Sequence, residues 1–247
     1  QSRLSRGRRR PLCALTFDDG WLDTYQHAFP RLQRWGMPAT VFLPLHFIGT
    51  HRRFWQDELH RTLQRLRGCT DATGRLRQAG HGFPWCPSLG AADLNFGRLR
   101  RRLVRRASTE AEAFVAQLAA TAPPAPQPPE RAFMDWEEVA QMQAGGVSFG
   151  SHTLEHCLLR CAPPQTAGLE LLASRTELSE RLGGPVESLS YPWGGLGPLT
   201  LGQARAAGYR CAVTTQSGMA RAATDPLALP RVALSNAQLG WDQNGAN

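Results

Sequence analysis

The sequence predicts an α/β fold built on a mostly parallel sheet. Apolar runs short enough to be buried strands alternate with longer stripes of helical period. At two widely separated places such a run leads directly into chemically distinctive polar residues, the arrangement expected at the carboxyl ends of parallel strands. At 247 residues and 42% apolar composition, the chain can bury one substantial core and is compatible with a single α/β barrel, 1–247.

The elements follow in order. Leu12 to Phe17 is a continuous apolar run bounded by Pro11 and by Asp18-Asp19-Gly20, and it reads as the first buried strand. Tyr25, Ala28, Phe29, Leu32 and Trp35 form a helical stripe ended by Gly36, and Ala39 to Leu43 returns as a strand. From residue 46 to about 131 the alternation breaks, which marks an insertion. Within it, a helix is expected from Phe54 to about Arg67. A Gly/Pro-rich stretch follows, then an Arg-rich helix from about Phe96 to Leu118 and a stiff linker over Pro123 to Pro129. Such excursions gather function, so the insertion reads as a lid or substrate-selecting cap, or else as a simple decoration.

The rhythm resumes at Asp135 to Met142, a capped helix whose acidic first turn suits the helix dipole. Gly145 to Gly150 reads as a turn, a short strand and a second turn. Thr166 to Leu182 is helical and ends at Gly183-Gly184. Strand-like Glu187 to Tyr191, helical Leu199 to Ala207 and strand-like Arg210 to Thr214 complete the pattern.

Charge and composition exclude several classes. All 28 basic residues are arginine, which rules out a Schiff-base lysine, a pyridoxal site and a Walker-type phosphate loop. The formal charge of +8 comes mostly from Arg3 to Arg10 and Arg98 to Arg106. These patches suit an anionic glycan, lipid phosphate or nucleic acid, or they are solvated faces; no nucleic-acid-reading motif accompanies them. No apolar window is long enough to span a bilayer. The basic start is not a signal peptide, which favours the cytoplasm, or export if a leader has been removed. Six cysteines have no zinc-knuckle spacing and fix no redox compartment. Cys157 and Cys161 stand closest to a histidine, and inert packing is the expectation for them.

Two stretches carry chemistry. Asp18 and Asp19 sit side by side where the first strand ends, and Gly20 allows the turn that gives them different directions, one for a metal and one for a base. His152 and His156 have the i,i+4 spacing that suits one face of a helical turn. Taken singly, the first is also an ordinary polar turn and the second an ordinary pair. Together they supply the one-carboxylate, two-histidine ligand set of a hydrolytic metal centre.

With these residues in place, the chain resembles the polysaccharide deacetylases of carbohydrate esterase family 4, the NodB-homology domains. Thr16-Phe17-Asp18-Asp19-Gly20 matches their first motif and His152-Thr153-Leu154-Glu155-His156 their second, and Tyr191-Pro192-Trp193-Gly194 matches the Pro-aromatic-Gly turn of their third. The resemblance covers roughly residues 11 to 50 and 132 to 235. It implies an incomplete, seven-stranded β/α barrel with a helical insertion after the second strand.

The resemblance also implies a metal-dependent hydrolase that removes the N-acetyl group from a sugar in a polysaccharide, oligosaccharide or glycolipid. Asp18 is then the general base, Asp19, His152 and His156 the metal ligands, and the Trp193 N–H an oxyanion donor. Tyr191, Pro192, Trp193, Gly194 and Trp136 are the expected substrate contacts. The metal is expected to be Zn²⁺, with Co²⁺, Mn²⁺ or Ni²⁺ compatible with the same ligands. Two departures stand out. The position that carries a base-orienting arginine in many relatives is Ser190 here, as in a variant branch of the family, and Arg231 is the candidate substitute or else a surface arginine. No histidine follows His156, so the family's late acid is missing and His46 is the replacement candidate, or else a solvated loop residue. The alternatives are a hydrolase of a non-sugar amide or ester, a non-catalytic glycan-binding protein, and an arginine-driven nucleic-acid binder.

Overall fold

The computed structural model describes residues 12–86, 88–125 and 131–234. Its sheet comprises β1 (Leu15–Phe17), β2 (Ala39–Leu43), β3 (Ser148–Ser151), β4 (Ser188–Ser190), β5 (Cys211–Ser217) and β6 (Leu229–Arg231), paired in chain order. Every pairing is parallel. The crossovers up to β5 each contain a helix, as parallel neighbours require. Because the order never reverses, right-handed crossovers place successive helices on the same side of the sheet, and the sheet curls.

The curl is visible in one side chain. β1 and β6 are opposite edges in hydrogen-bond order, yet Arg231 Nη1 lies 3.2 Å from the Thr16 hydroxyl and 2.8 Å from Asp18. The edges have therefore come round to face each other, giving an incomplete barrel. Six strands are present among the described residues where the resemblance implied seven, and the remaining gap is spanned by a guanidinium. The first strand is shorter than the apolar run suggested: Leu12 is 63% exposed and Cys13 is also exposed, so pairing begins at Leu15.

Helix boundaries follow from local chemistry. A π-wound segment, Thr24–Ala28, runs into α1 (Phe29–Trp35), which Gly36 closes at φ 58° while Met37 N–H bonds back to Leu32 O, a left-handed C-terminal cap. α6 (Trp136–Ala144) starts with a reciprocal cap. Asp135 accepts from Glu138 N–H at 2.9 Å, and Glu138 accepts from Asp135 N–H at 2.8 Å. α7 (Pro164–Leu182) and α8 (Thr200–Ala206) complete the outer layer. Val41, Leu43, Leu171, Leu178, Leu189 and Ala212 are fully buried within the core that joins these helices to the sheet.

The insertion has a core of its own. α2 (Trp55–Leu66), α3 (Ala72–Gly80), α4 (Phe96–Leu103) and α5 (Ser108–Thr121) bury Leu59, Leu66, Leu76, Leu99, Leu103, Phe114 and Leu118 against one another, separately from the barrel core. The single Arg-rich helix expected over Phe96–Leu118 is broken at Val104–Ala107. The break lets α4 and α5 present Leu103 and Phe114 to the same interior. α3 lies where a Gly/Pro-rich loop was expected, because Leu76 and Ala79 are fully buried despite a sequence rich in Gly and Arg. The Arg3–Arg10 patch and most of the Pro123–Pro129 linker lie outside the described residues. No described helix is long and apolar enough to cross a membrane.

Phe114→Ala should cost about 3–5 kcal/mol of the insertion's stability, as for other buried aromatic truncations. Urea denaturation followed by tryptophan fluorescence checks this. A loss under about 1 kcal/mol would mean that these helices do not share a packed interior.

Candidate metal centre

The candidate residues lie on the end of the sheet from which the strands emerge. Asp18 and Asp19 follow β1, His152 and His156 follow β3, Tyr191 to Gly194 follow β4, and Arg231 ends β6. The four non-glycine residues with positive φ among the described residues are Asp19 (73°), Thr153 (67°), His156 (51°) and Trp193 (61°). Each such conformation costs about 1–3 kcal/mol and persists only where its surroundings enforce it.

The enforcement can be traced. Gly20 follows Asp19 at φ 65°, a left-handed conformation that favours glycine, and a Cβ there would press on Leu43 at 2.8 Å and Ile48 at 2.9 Å. After β3, Thr153 N–H donates to Ser151 Oγ at 3.1 Å. Leu154 and Glu155 N–H both donate to the carboxylate of buried Glu170, at 2.9 and 3.1 Å. The two histidines thus converge from a pinned loop with two left-handed residues, and not from the helical turn that their i,i+4 spacing suggested.

At the centre, Asp19 Oδ1 lies 3.3 Å from His152 Nε2 and 3.2 Å from His156 Nε2. One ligand atom from each residue falls within 4.8 Å of the others. His152 Nδ1 is 2.7 Å from the Ser190 carbonyl. A carbonyl only accepts, so Nδ1 carries a proton, and Nε2 faces Asp19 as the nitrogen that the neutral ring would offer to a cation. Phe54 stacks on His156 with ring centroids 4.1 Å apart. Trp21 Nε1 donates to Asp19 Oδ2 at 3.0 Å, while Oδ1 is buried without a hydrogen-bond partner among the described residues. An orphaned carboxylate oxygen facing two imidazole nitrogens is a poor arrangement for an empty protein interior and a good one for a divalent cation.

The charges agree. Burial would raise the Asp19 carboxyl, but the imidazoles of His152 and His156 close beside it outweigh burial and hold Asp19 far below the usual carboxylate range. Burial likewise opposes charging of the histidines. At His152 the nearby carboxylates of Asp19 and Asp18 win over burial and the pKa is raised; at His156 burial wins and it is lowered. A cation would compete with the proton for both nitrogens.

Beside the triad, Asp18 is gripped by Arg231 through two contacts, Nη1–Oδ1 at 2.8 Å and Nη2–Oδ2 at 2.6 Å. Ser190 Oγ donates to Asp18 Oδ2 at 3.2 Å and accepts from Arg231 Nη2 at 3.3 Å. Arg231 Nε is fixed in turn by the Thr214 carbonyl at 2.9 Å. Burial raises the Asp18 carboxyl, but the Arg231 hydrogen bond and the charges of His152 and Arg231 prevail and hold it below its ordinary value.

The other expected site residues divide. Trp193 is 37% exposed and its ring centroid lies 5.8 Å from that of His156. Gly194, at φ 63°, leaves no room for a Cβ beside Thr215. Tyr191 and Pro192 are buried, and the Tyr191 hydroxyl donates to the Leu227 carbonyl at 2.9 Å. Their side chains brace the turn from inside, leaving Trp193 as the motif's exposed ring. Trp136 packs by Gly49 and under the Arg181 guanidinium, 4.3 Å away. His46 Nδ1 lies 2.6 Å from Glu155 and its Nε2 3.8 Å from Glu177, so both nitrogens face carboxylates outside the triad. Cys157 is buried, and burial pushes its thiol up; Cys161 is exposed, and both are free.

Three contributors had weak sequence signals or none. Trp21, two residues beyond Asp19, is placed by the tight turn at Gly20, a signal present but unused. Phe54 and Asp57 come from the insertion, and only the fold brings them near. Burial raises the Asp57 carboxyl and so does the charge of Asp19, against Arg53 and His60, so the first turn of α2 lies within reach of the triad's field.

Comparison with known proteins agrees with this architecture. The family model described as polysaccharide deacetylase matches residues 5–83 and 102–212. The Bacillus subtilis (strain 168) protein YxkH is 24% identical over 226 residues, covering 92% of this chain and 52% of its own length. The chain thus spans about half of that curated relative. Among solved structures, the Streptococcus pyogenes deacetylase PplD in complex with acetate superposes with a TM-score of 0.54 at 20% identity, covering 89% of this chain and 62% of that one. IcaB from Ammonifex degensii gives 0.55 at 17%, covering 92% and 70%. With most of its length matched by the family model and with the curled parallel sheet and the Asp-His-His cluster in place, this chain belongs to the polysaccharide deacetylase family.

Proposed function

We propose that this chain hydrolyses the acetamido group of an N-acetylated sugar within a glycan or glycolipid, with Asp19, His152 and His156 holding one divalent metal, Zn²⁺ by preference. The observation that carries the reading is the unpartnered Asp19 Oδ1 facing two imidazole nitrogens, next to a carboxylate already gripped by an arginine. Its mixed N/O donors suit Zn²⁺ and also Co²⁺, Mn²⁺ or Ni²⁺. When bound, the metal polarises the acetyl carbonyl and makes water a better nucleophile at neutral pH.

The chain's own residues do the rest. Asp18 accepts the proton of the attacking water as oxygen adds to the acetyl carbon. The Trp193 N–H stabilises the charge that develops on the carbonyl oxygen. The C–N bond then breaks, giving acetate and an amine, and the amine nitrogen must be protonated. His46 is occupied by Glu155, so we assign the return of the proton to Asp18. Arg231 fits both halves of that task. By keeping the Asp18 pKa low it makes the carboxylate a weak base that needs an activated water, and once protonated a strong acid toward the leaving nitrogen.

Acetate release from N-acetylglucosamine and N-acetylgalactosamine oligomers and glycolipids should appear only when metal is restored to stripped protein. Asp18→Asn should lower it by about 10²–10⁴-fold while leaving metal uptake intact, and His152→Ala should abolish uptake of one equivalent. Stoichiometric metal binding with no turnover on any amide substrate would reject catalysis.

Arg231→Gln should reduce kcat by about 10–100-fold. Since Arg231 helps to depress the Asp18 pKa, its loss raises that pKa, and the acid limb of the kcat/KM profile should move to higher pH. An unmoved limb would mean that Arg231 only braces the barrel.

A further inference from the structure

The seam between the insertion and the turn after β4 carries arginines whose charge is not matched. Along α4 and the break after it, Asp93 Oδ1 takes Arg98 Nε at 3.1 Å and Arg102 Nη1 at 3.3 Å. Among the described residues no carboxylate pairs with Arg100 or Arg106. Both are instead set on aromatic faces, Arg100 with its guanidinium carbon 5.5 Å from the Trp193 ring and Arg106 5.2 Å from the Trp85 ring. Arg106 also lines a narrow cleft with Gln56, Ser108, His156 and Trp193, so one wall of that cleft belongs to the metal cluster and another to the insertion. A guanidinium lying on a ring keeps its charge and its N–H edge available for a forked contact to an oxyanion. Arg100 and Trp85 fall in 84–101, the stretch that the family model leaves unmatched.

We propose that Arg100 and Arg106 form an anion-recognising subsite at the mouth of the metal centre, so that the preferred substrate carries a carboxylate or phosphate close to the N-acetylated sugar. This rests on the deacetylase reading. It gives the insertion a chemical purpose: charge selection beside the reacting amide.

Three N-acetylated oligosaccharides of equal length, one neutral, one bearing a uronate carboxylate and one a phosphate, test it on the zinc-loaded full chain. The expected result is a kcat/KM at least about tenfold higher for one or both anionic substrates, falling as salt is raised. The R100Q/R106Q variant should lose that preference mainly through KM and keep neutral turnover within about twofold. The carboxylate and phosphate arms identify which oxyanion is read. Equal kcat/KM on all three, or equal loss on all three in the variant, overturns the subsite while leaving the deacetylase reading in place. Should none turn over, calorimetric binding of the same oligosaccharides decides. Tighter anionic binding that R100Q/R106Q abolishes upholds the subsite and removes the deacetylase reading; equal binding removes the subsite as well.

Discussion

The pairing of Asp18 with Arg231 is the contact on which the rest of the molecule turns. It joins the two free edges of a sheet that does not close by hydrogen bonding, and it does so at the mouth, where the functional side chains gather. A partly buried pair of this kind is costly to desolvate and is best sustained when its remaining hydrogen-bonding groups are satisfied. Thr16, Ser190 and Thr214 supply those partners. One guanidinium therefore serves as a strap across the barrel and as a group that lowers the proton affinity of Asp18.

The backbone strain is distributed with the same economy. Every left-handed non-glycine residue among those described is a ligand of the candidate metal centre, lies between the two histidine ligands, or carries the proposed oxyanion donor. Regular strands supply direction, but they point neighbouring side chains to opposite faces. Bringing one carboxylate oxygen and two ring nitrogens to one spot needs conformations that strands and helices do not offer. The buried Ser151–Ser174 and Glu170 contacts hold the histidine loop in its unfavourable shape.

Much of this was legible in the residues. The Asp-Asp-Gly turn, the histidine pair, the alternating strands and helices and the insertion can all be located from pattern, because each is local in sequence. The helical reading of the histidine pair failed because spacing cannot distinguish a helical turn from a loop fixed by a carboxylate at position 170. Trp35 fits the apolar stripe of α1 yet is 70% exposed, since the stripe is wider than the face the core covers. Tyr191 was expected beside Trp193 from the motif alone, and its hydroxyl's acceptor at Leu227, far along the chain, has no local signal. Arg231 was a candidate only as a residue of suitable chemistry. Its position opposite Asp18 depends on how far the sheet curls, which no local pattern encodes.

The origin of the centre in three separate strands has a temporal consequence. Asp19 is carried by the first strand, His152 and His156 by the third, and the carbonyl that orients His152 by the fourth. The insertion lies between the first and third strands in the chain, so a growing or refolding polypeptide cannot assemble the ligand set from its amino-terminal half. Closing so long a loop is entropically slow, and the centre becomes competent only after the later strands have docked. Any cation that then binds favours the assembled form over all earlier ones by mass action. Metal availability would thus act on the last stage of maturation, and the insertion's separately packed helices would not depend on it.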